Sequence, residues 1–181
     1  PKENGFDWVL DRLCAGIEVG AADIARLGVG GLLMEIPSRP QPREGTAKAA
    51  RVGAVLLAAG RSSRMGGPNK LLARFDGVPL ARRTAERLAA SGAGPVVAVV
   101  GHQAAQLRGL FEGLPLTVVE NPDFASGLAG SLKAGIRALP PGIDGALVAL
   151  ADMPGVATAD YDRMIATFRK HGGQVVVRAT A

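Results

Sequence analysis

Gly60, Gly66 and Gly67 alternate with Arg61, Arg64 and Lys70 in the short stretch Gly-Arg-Ser-Ser-Arg-Met-Gly-Gly-Pro-Asn-Lys. Glycine lets the backbone come close to a ligand and adopt positive φ. Main-chain N–H groups exposed in such a turn, with cations beside them, form a concavity suited to a polyphosphate. The run before it, residues 52–58, is apolar at every position but one glycine. That pattern suits a strand buried on both faces of a parallel sheet. A linker with incidental charges is the plain alternative, and a buried strand leading straight into the glycines argues against it. Spacing excludes two common phosphate loops. Lys70 precedes Leu71, so no hydroxyl stands where a P-loop holds magnesium. Gly60 precedes Arg61, Ser62 and Ser63, which lacks the second glycine of the dinucleotide fingerprint.

Two further stretches carry polar groups at the ends of expected elements. Asp152 follows the apolar run 146–151, and a hard oxygen ligand facing a phosphate loop is what magnesium needs. The alternative is a strand-end aspartate that caps the next turn. Ser126, Gly127 and Ser131 stand at the entry to a helix, where free N–H groups and hydroxyls can read a base edge or a phosphate. An ordinary capped helix start is the rival there. Glu120 ends another strand and reads as structural. His102 reads as a turn residue, and His171 lies near a helix C-terminus, where positive charge suits the dipole. Ser62 and Ser63 have no base candidate nearby, which argues against nucleophilic catalysis.

The elements that must position these groups alternate. Strands are expected at 52–58, 95–100, 116–119, 146–151 and 174–178, and a hairpin at 71–80 turns on Asp76-Gly77. Helices are expected at 80–90 and 103–111, along the Leu128, Leu132, Ile136, Leu139 stripe, and after an N-cap at Thr158. Strand–helix alternation predicts an α/β fold, a doubly wound, mostly parallel sheet with helices on both faces. Ligands of such sheets sit beyond the carboxyl ends of the strands. Residues 1–36 are helical in pattern, with Phe6, Val9, Leu10 and Leu13 as one stripe. Residues 37–50 form a Pro-rich linker, and 51–181 form the main domain. The arm either docks on that domain or is the tail of a preceding one.

With 181 residues the chain can build a full core. No apolar run approaches the roughly 20 residues of a membrane span, and one cysteine, Cys14, forbids an internal disulfide. A cytoplasmic protein is the plain expectation. The net charge of +5 is concentrated, because seven Arg or Lys and two acids lie between Arg61 and Arg87. No basic–aromatic interleaving of the kind that stacks bases is present, so local phosphate binding is expected rather than nucleic acid. Arg82, Arg83 and Arg87 read as a solvated helix face.

The segment from Leu57 through Lys70 resembles the signature loop of the nucleotidyltransferase superfamily, L-A-x-G-x-x-x-R-M-G followed by lysine. Asp152-Met153-Pro154 resembles that superfamily's metal-binding aspartate. The run from Gly127 to Gly135 resembles the G-L-A-x-S-L-x-A-G segment of molybdenum cofactor cytidylyltransferases. The resemblance spans residues 52–181. It implies a Rossmann-like nucleotidyltransferase fold, with Leu57, Ala58, Ala59, Gly60, Arg61, Arg64, Lys70, Ser126, Gly127 and Ser131 at the nucleotide. Arg64 and Lys70 would be catalytic, and Asp152 would hold Mg. The implied donor is CTP, since guanylyltransferases typically carry a second glycine where Ala59 stands. The implied acceptor is molybdopterin carrying molybdenum. GTP, another phosphorylated acceptor, or a non-catalytic carrier serving molybdoenzymes are the rivals. The family's later segments would lie beyond Ala181, so the domain is expected to lack its C-terminal part. Residues 23–44 also resemble the end of molybdopterin-binding domains fused upstream of a transferase.

Overall fold

Strand β2 (Val52–Ala58) is buried along its whole length. It is flanked by β5 (Val96–Val100) and β7 (Gly145–Leu150) in parallel register. Alternate side chains of β2 serve two cores. Val52, Ala54, Leu56 and Ala58 face one, while Val55 and Leu57 face the other. Burial on both faces explains why these strands read as continuous apolar runs rather than as alternating ones. The computed structural model describes residues 31–35, 49–60, 69–173 and 175–178.

The main sheet runs β6-β5-β2-β7-β1-β8, with β6 at Thr117–Glu120, β1 at Gly31–Glu35 and β8 at Val177–Arg178. The four strands β6, β5, β2 and β7 are mutually parallel. Strand β1 runs antiparallel to both β7 and β8. This corrects one expectation, since the sequence pattern places residues 31–35 in a helical arm and they form a strand. The segment Gly-Leu-Leu-Met-Glu lies beyond the glycines that end the helical periodicity, and it covers the open edge of β7. The helical stripe at Phe6–Leu13 and Cys14 lie outside the described residues.

One sheet face carries α1 (Leu80–Ala89), α2 (Ala104–Phe111) and α4 (Thr158–Lys170), through Leu88, Leu107, Phe111, Tyr161, Ile165 and Phe168. The other face carries α3 (Leu128–Arg137), through Leu132 and Ile136. The α/β expectation with helices on both faces therefore holds. Helix α3 lies very close to the sheet. A Cβ on Gly135 would stand 2.4 Å from Val55 Cγ1 and 2.8 Å from Val99 Cγ2, closer than any side chain is tolerated. Strands β3 (Arg74–Phe75) and β4 (Val78–Pro79) form the expected hairpin beside the sheet. Its turn places Asp76 and Gly77 at φ 49° and 77°, which Asp and Gly tolerate.

Two local details differ from the sequence reading. Thr158 is the first residue of α4 rather than its cap: its hydroxyl donates to Arg87 O at 3.0 Å. The capping carboxylate is that of Asp160, which accepts from Ala157 N at 2.8 Å. The arginines of α1 are also not a solvated face. Arg82 Nη1 donates to Leu110 O at 2.7 Å and Glu112 O at 3.1 Å. Arg83 donates to Phe75 O at 3.1 Å and lies over the Phe75 ring at 5.1 Å. Arg87 donates to Pro154 O and Val156 O. A guanidinium has five donors in a fixed fork, and here they fasten neighbouring loops to the helix.

Candidate active site

Strands β2 and β7 are adjacent and parallel, so the segments leaving their carboxyl ends emerge side by side. After β2 come Ala59 and Gly60, and the chain re-enters the described region at Asn69. Asn69 is buried, and its Oδ1 accepts from Leu71 N at 3.1 Å, which closes the short 3-10 turn Lys70–Leu72. An asparagine that bonds main chain two residues on is a standard turn former. The turn directs Lys70 toward the end of β7, where its ammonium donates to Asp152 Oδ2. These residues are 82 apart in sequence. The side chains are 49% and 30% exposed, so the pair contributes at most about 1 kcal/mol to stability. Folding stability does not account for bringing a cation and an anion to this place.

Asp152 is held from several sides. Ala151 N donates to Leu57 O at 3.1 Å, and Ala151 O accepts from the buried Thr84 hydroxyl at 3.2 Å. Met153 N donates back to Leu150 O at 3.3 Å, which turns the chain sharply after the aspartate. Among the described residues no three His, Cys, Asp or Glu side chains gather to hold a metal ion by themselves. A single carboxylate suits magnesium, which commonly takes one or two carboxylates plus substrate phosphates and water. The Lys70 ammonium is the cation the structure brings to this carboxylate among the described residues.

The remaining expected residues divide. Leu57, Ala58 and Ala59 are 6%, 1% and 4% exposed, with side chains turned into the cores. Only their main chain is left to face a ligand, and two of those groups are already used, since Leu57 O and Ala59 O accept from Ala151 N and His102 N. Gly60 is exposed, and a Cβ there would meet nothing within 4 Å. Arg61 and Arg64 lie outside the described residues. Gly127 has φ 124°, a conformation that favours glycine, at the entry to α3. Ser126 donates to Asp123 O at 2.7 Å. Ser131 is 2% exposed and accepts from Asn121 Nδ2 at 3.0 Å. In this arrangement its hydroxyl fixes Asn121 instead of standing open to a base. Glu120 pairs with Arg108 at 3.1 Å on the surface. His102 leans on Phe124 with ring centroids 6.1 Å apart, and His171 closes the C-terminus of α4 through its N–H to Thr167 O.

The site-shaping contacts of Asn121, Thr84 and Arg87 are not read from the sequence. Asn121 is buried, accepts from Asp123 N at 3.1 Å, and shapes the loop between β6 and α3; the Asn-Pro-Asp triplet is the turn signal that marks it. Thr84 and Arg87 carry no signal on a helix that otherwise reads as amphipathic. Tyr161 is fully buried and its hydroxyl makes no hydrogen bond among the described residues. Burial pushes its pKa up to about 12, opposed by the nearby Arg87 charge and reinforced by Asp160.

A mostly parallel α/β sheet takes its ligands beyond the carboxyl ends of its strands, which is where this ammonium and carboxylate meet. Residues 54–181 match the MobA-like NTP transferase domain, and the chain belongs to this family. It is similar to 2-C-methyl-D-erythritol 4-phosphate cytidylyltransferase of Streptomyces avermitilis, at 36% identity over 79% of this chain and 58% of that protein. It is also similar to molybdenum cofactor guanylyltransferase of Ralstonia nicotianae, at 34% over 70% of this chain and 59% of that one. Nicotine blue oxidoreductase of Paenarthrobacter nicotinovorans is 34% identical over 65% of this chain and 57% of its own length. The chain thus spans less than three fifths of each of these relatives. Among solved structures, a nucleotidyl transferase from Methanothermobacter thermautotroptrophicus superposes with TM-score 0.59 at 31% identity, covering 64% of this chain and 57% of that one.

Proposed function

We propose that this chain carries the nucleotide site of an enzyme that transfers a nucleotidyl group from a nucleoside triphosphate to a phosphorylated acceptor. CTP is the favoured donor and a molybdopterin-type phosphate the favoured acceptor. The meeting of Lys70 with Asp152 carries this reading, because it joins the glycine-rich turn to the one strand-end acid with a metal-site motif. Family membership supports the reaction class. The resemblance of the Gly127–Gly135 segment supports the acceptor, and the alanine at position 59 supports CTP over GTP.

An acceptor phosphate oxygen attacks the α-phosphorus, the bond to the β-phosphate bridging oxygen breaks, and pyrophosphate leaves. The attacking oxygen is ionised at neutral pH, so no general base is required. The protein's task reduces to alignment and charge stabilisation. Lys70 and Arg64 offset charge on the α-phosphate and on the departing pyrophosphate. Gly60 leaves room for phosphate oxygens against the main chain. Asp152 would hold Mg, which when bound supplies charge neutralisation at phosphate oxygens. Asn121 and Ser131 hold the entry to α3 against the sheet, and with it Gly127.

The test is pyrophosphate release by the full-length protein with each of the four nucleoside triphosphates and a molybdopterin acceptor. Asp152→Ala is expected to lower turnover about 10²-fold or more, on the scale of losing one stabilising group. Turnover near wild type would overturn the assignment of Asp152, and release with GTP alone would overturn the assignment of CTP. Reduction of a dye without pyrophosphate release would place the protein with its oxidoreductase relative instead.

A further inference from the structure

Helix α1 grips the segment that carries Asp152 on both sides of the aspartate. Before it, the fully buried Thr84 hydroxyl shares its one proton between Leu80 O at 3.1 Å in its own helix and Ala151 O at 3.2 Å. After it, Arg87 Nη1 donates to Pro154 O, and to Val156 O at 3.1 Å. The Thr158 hydroxyl then closes the circuit onto Arg87 O at 3.0 Å. Thr84 and Arg87 sit one turn apart on one face of the helix, and they reach main chain 67 residues away. Both partners of Arg87 among the described residues are carbonyl oxygens, one on each side of Gly155. A long charged side chain that spends its donors this way restrains a backbone rather than balancing a charge.

We propose that Arg87 and Thr84 are positioning residues for Asp152, fixing the loop so that its carboxylate meets a metal–nucleotide complex in one orientation. This rests on the reading of Asp152 given above. Both residues act through the loop: Thr84 fixes the carbonyl just before Asp152, and Arg87 fixes two carbonyls just after it. Metal–phosphate chemistry is sensitive to such placement, since a shift of about 1 Å can cost on the order of 10²-fold.

The experiment measures binding of CTP and of GTP by titration calorimetry, with MnCl2 and separately with EDTA, well below each variant's melting temperature. The quantity read is the gain in nucleotide affinity that the metal brings. Asp152→Asn is expected to abolish that gain. Arg87→Met and Thr84→Val are expected to cut the gain about tenfold with metal-free affinity unchanged, and Arg87→Lys to keep part of it. A lower melting temperature with the full metal-dependent gain in both Arg87→Met and Thr84→Val would show a structural role only and overturn the inference. A full gain in Asp152→Asn would overturn the reading of Asp152 and the inference with it. Should Arg87→Met not fold, Thr84→Val decides alone, because it keeps the side chain's size and removes the hydroxyl that reaches Ala151 O and Leu80 O.

Discussion

Replacing Lys70 with alanine separates the two reasons a protein could have for pairing it with Asp152. If the pair existed for stability, its loss would show in unfolding. The side chains are 49% and 30% exposed, so the interaction is worth at most about 1 kcal/mol. In a domain of this size that corresponds to a fall in Tm of about 2–4 °C. The same ammonium placed against a polyphosphate in a developing transition state is worth about 2.7–4 kcal/mol, or 10²–10³ in turnover. Lys70→Ala is therefore expected to melt within about 4 °C of wild type by calorimetry while pyrophosphate release falls at least about 100-fold. The two readouts must come from one preparation of the full-length protein. A drop in Tm of more than about 10 °C with turnover near wild type would refute the reasoning, because the cation would then be a strut.

Two further expectations follow from buried positions. Gly135→Ala drives a methyl into Val55 and Val99, an overpacking expected to cost about 1–3 kcal/mol and to lower Tm by several degrees. Tyr161→Phe removes a buried hydroxyl that has no hydrogen-bond partner among the described residues, and its stability is expected to stay within about 1 kcal/mol of wild type by urea titration. The wild type is expected to lose stability relative to Tyr161→Phe as pH rises from about 10 toward 12. The unfolded phenol ionises near 10, and the folded one is raised to about 12. The unfolded state therefore binds fewer protons across that window, and the phenol's contribution falls. Equal pH slopes for the two proteins would contradict that assignment.

Much of the sheet was legible because β2, β5 and β7 are buried on both faces. Continuous runs such as Val96–Val100 admit few other readings. The pairing of Lys70 with Asp152 was legible only through motif, as nothing local in either segment encodes a contact 82 residues away. Strand β1 was not legible. Gly31–Glu35 is short and stands in a sequence with helical periodicity, and its pairing is decided by the exposed edge of β7 rather than by its own pattern. Ser131 misled for a related reason. A serine near a helix entry reads as an open hydroxyl, and only tertiary packing shows that Asn121 has taken it. The contacts of Thr84 and Arg87, the latter read as part of a solvated face, were not legible because their partners are main-chain carbonyls, which every sequence possesses.

The arginines of α1 also change what the formal surplus of positive charge means. Arg82, Arg83 and Arg87, with Arg74 donating to Gly77 O at 2.8 Å, all spend hydrogen-bond donors on main-chain carbonyls. The long-range field of these groups persists, but much of their capacity for close contact is occupied. Retention on an anionic chromatography resin should accordingly fade at lower salt than a basic isoelectric point suggests, because an arginine braced on carbonyls keeps its charge but offers fewer donors for direct contact with the resin's anions.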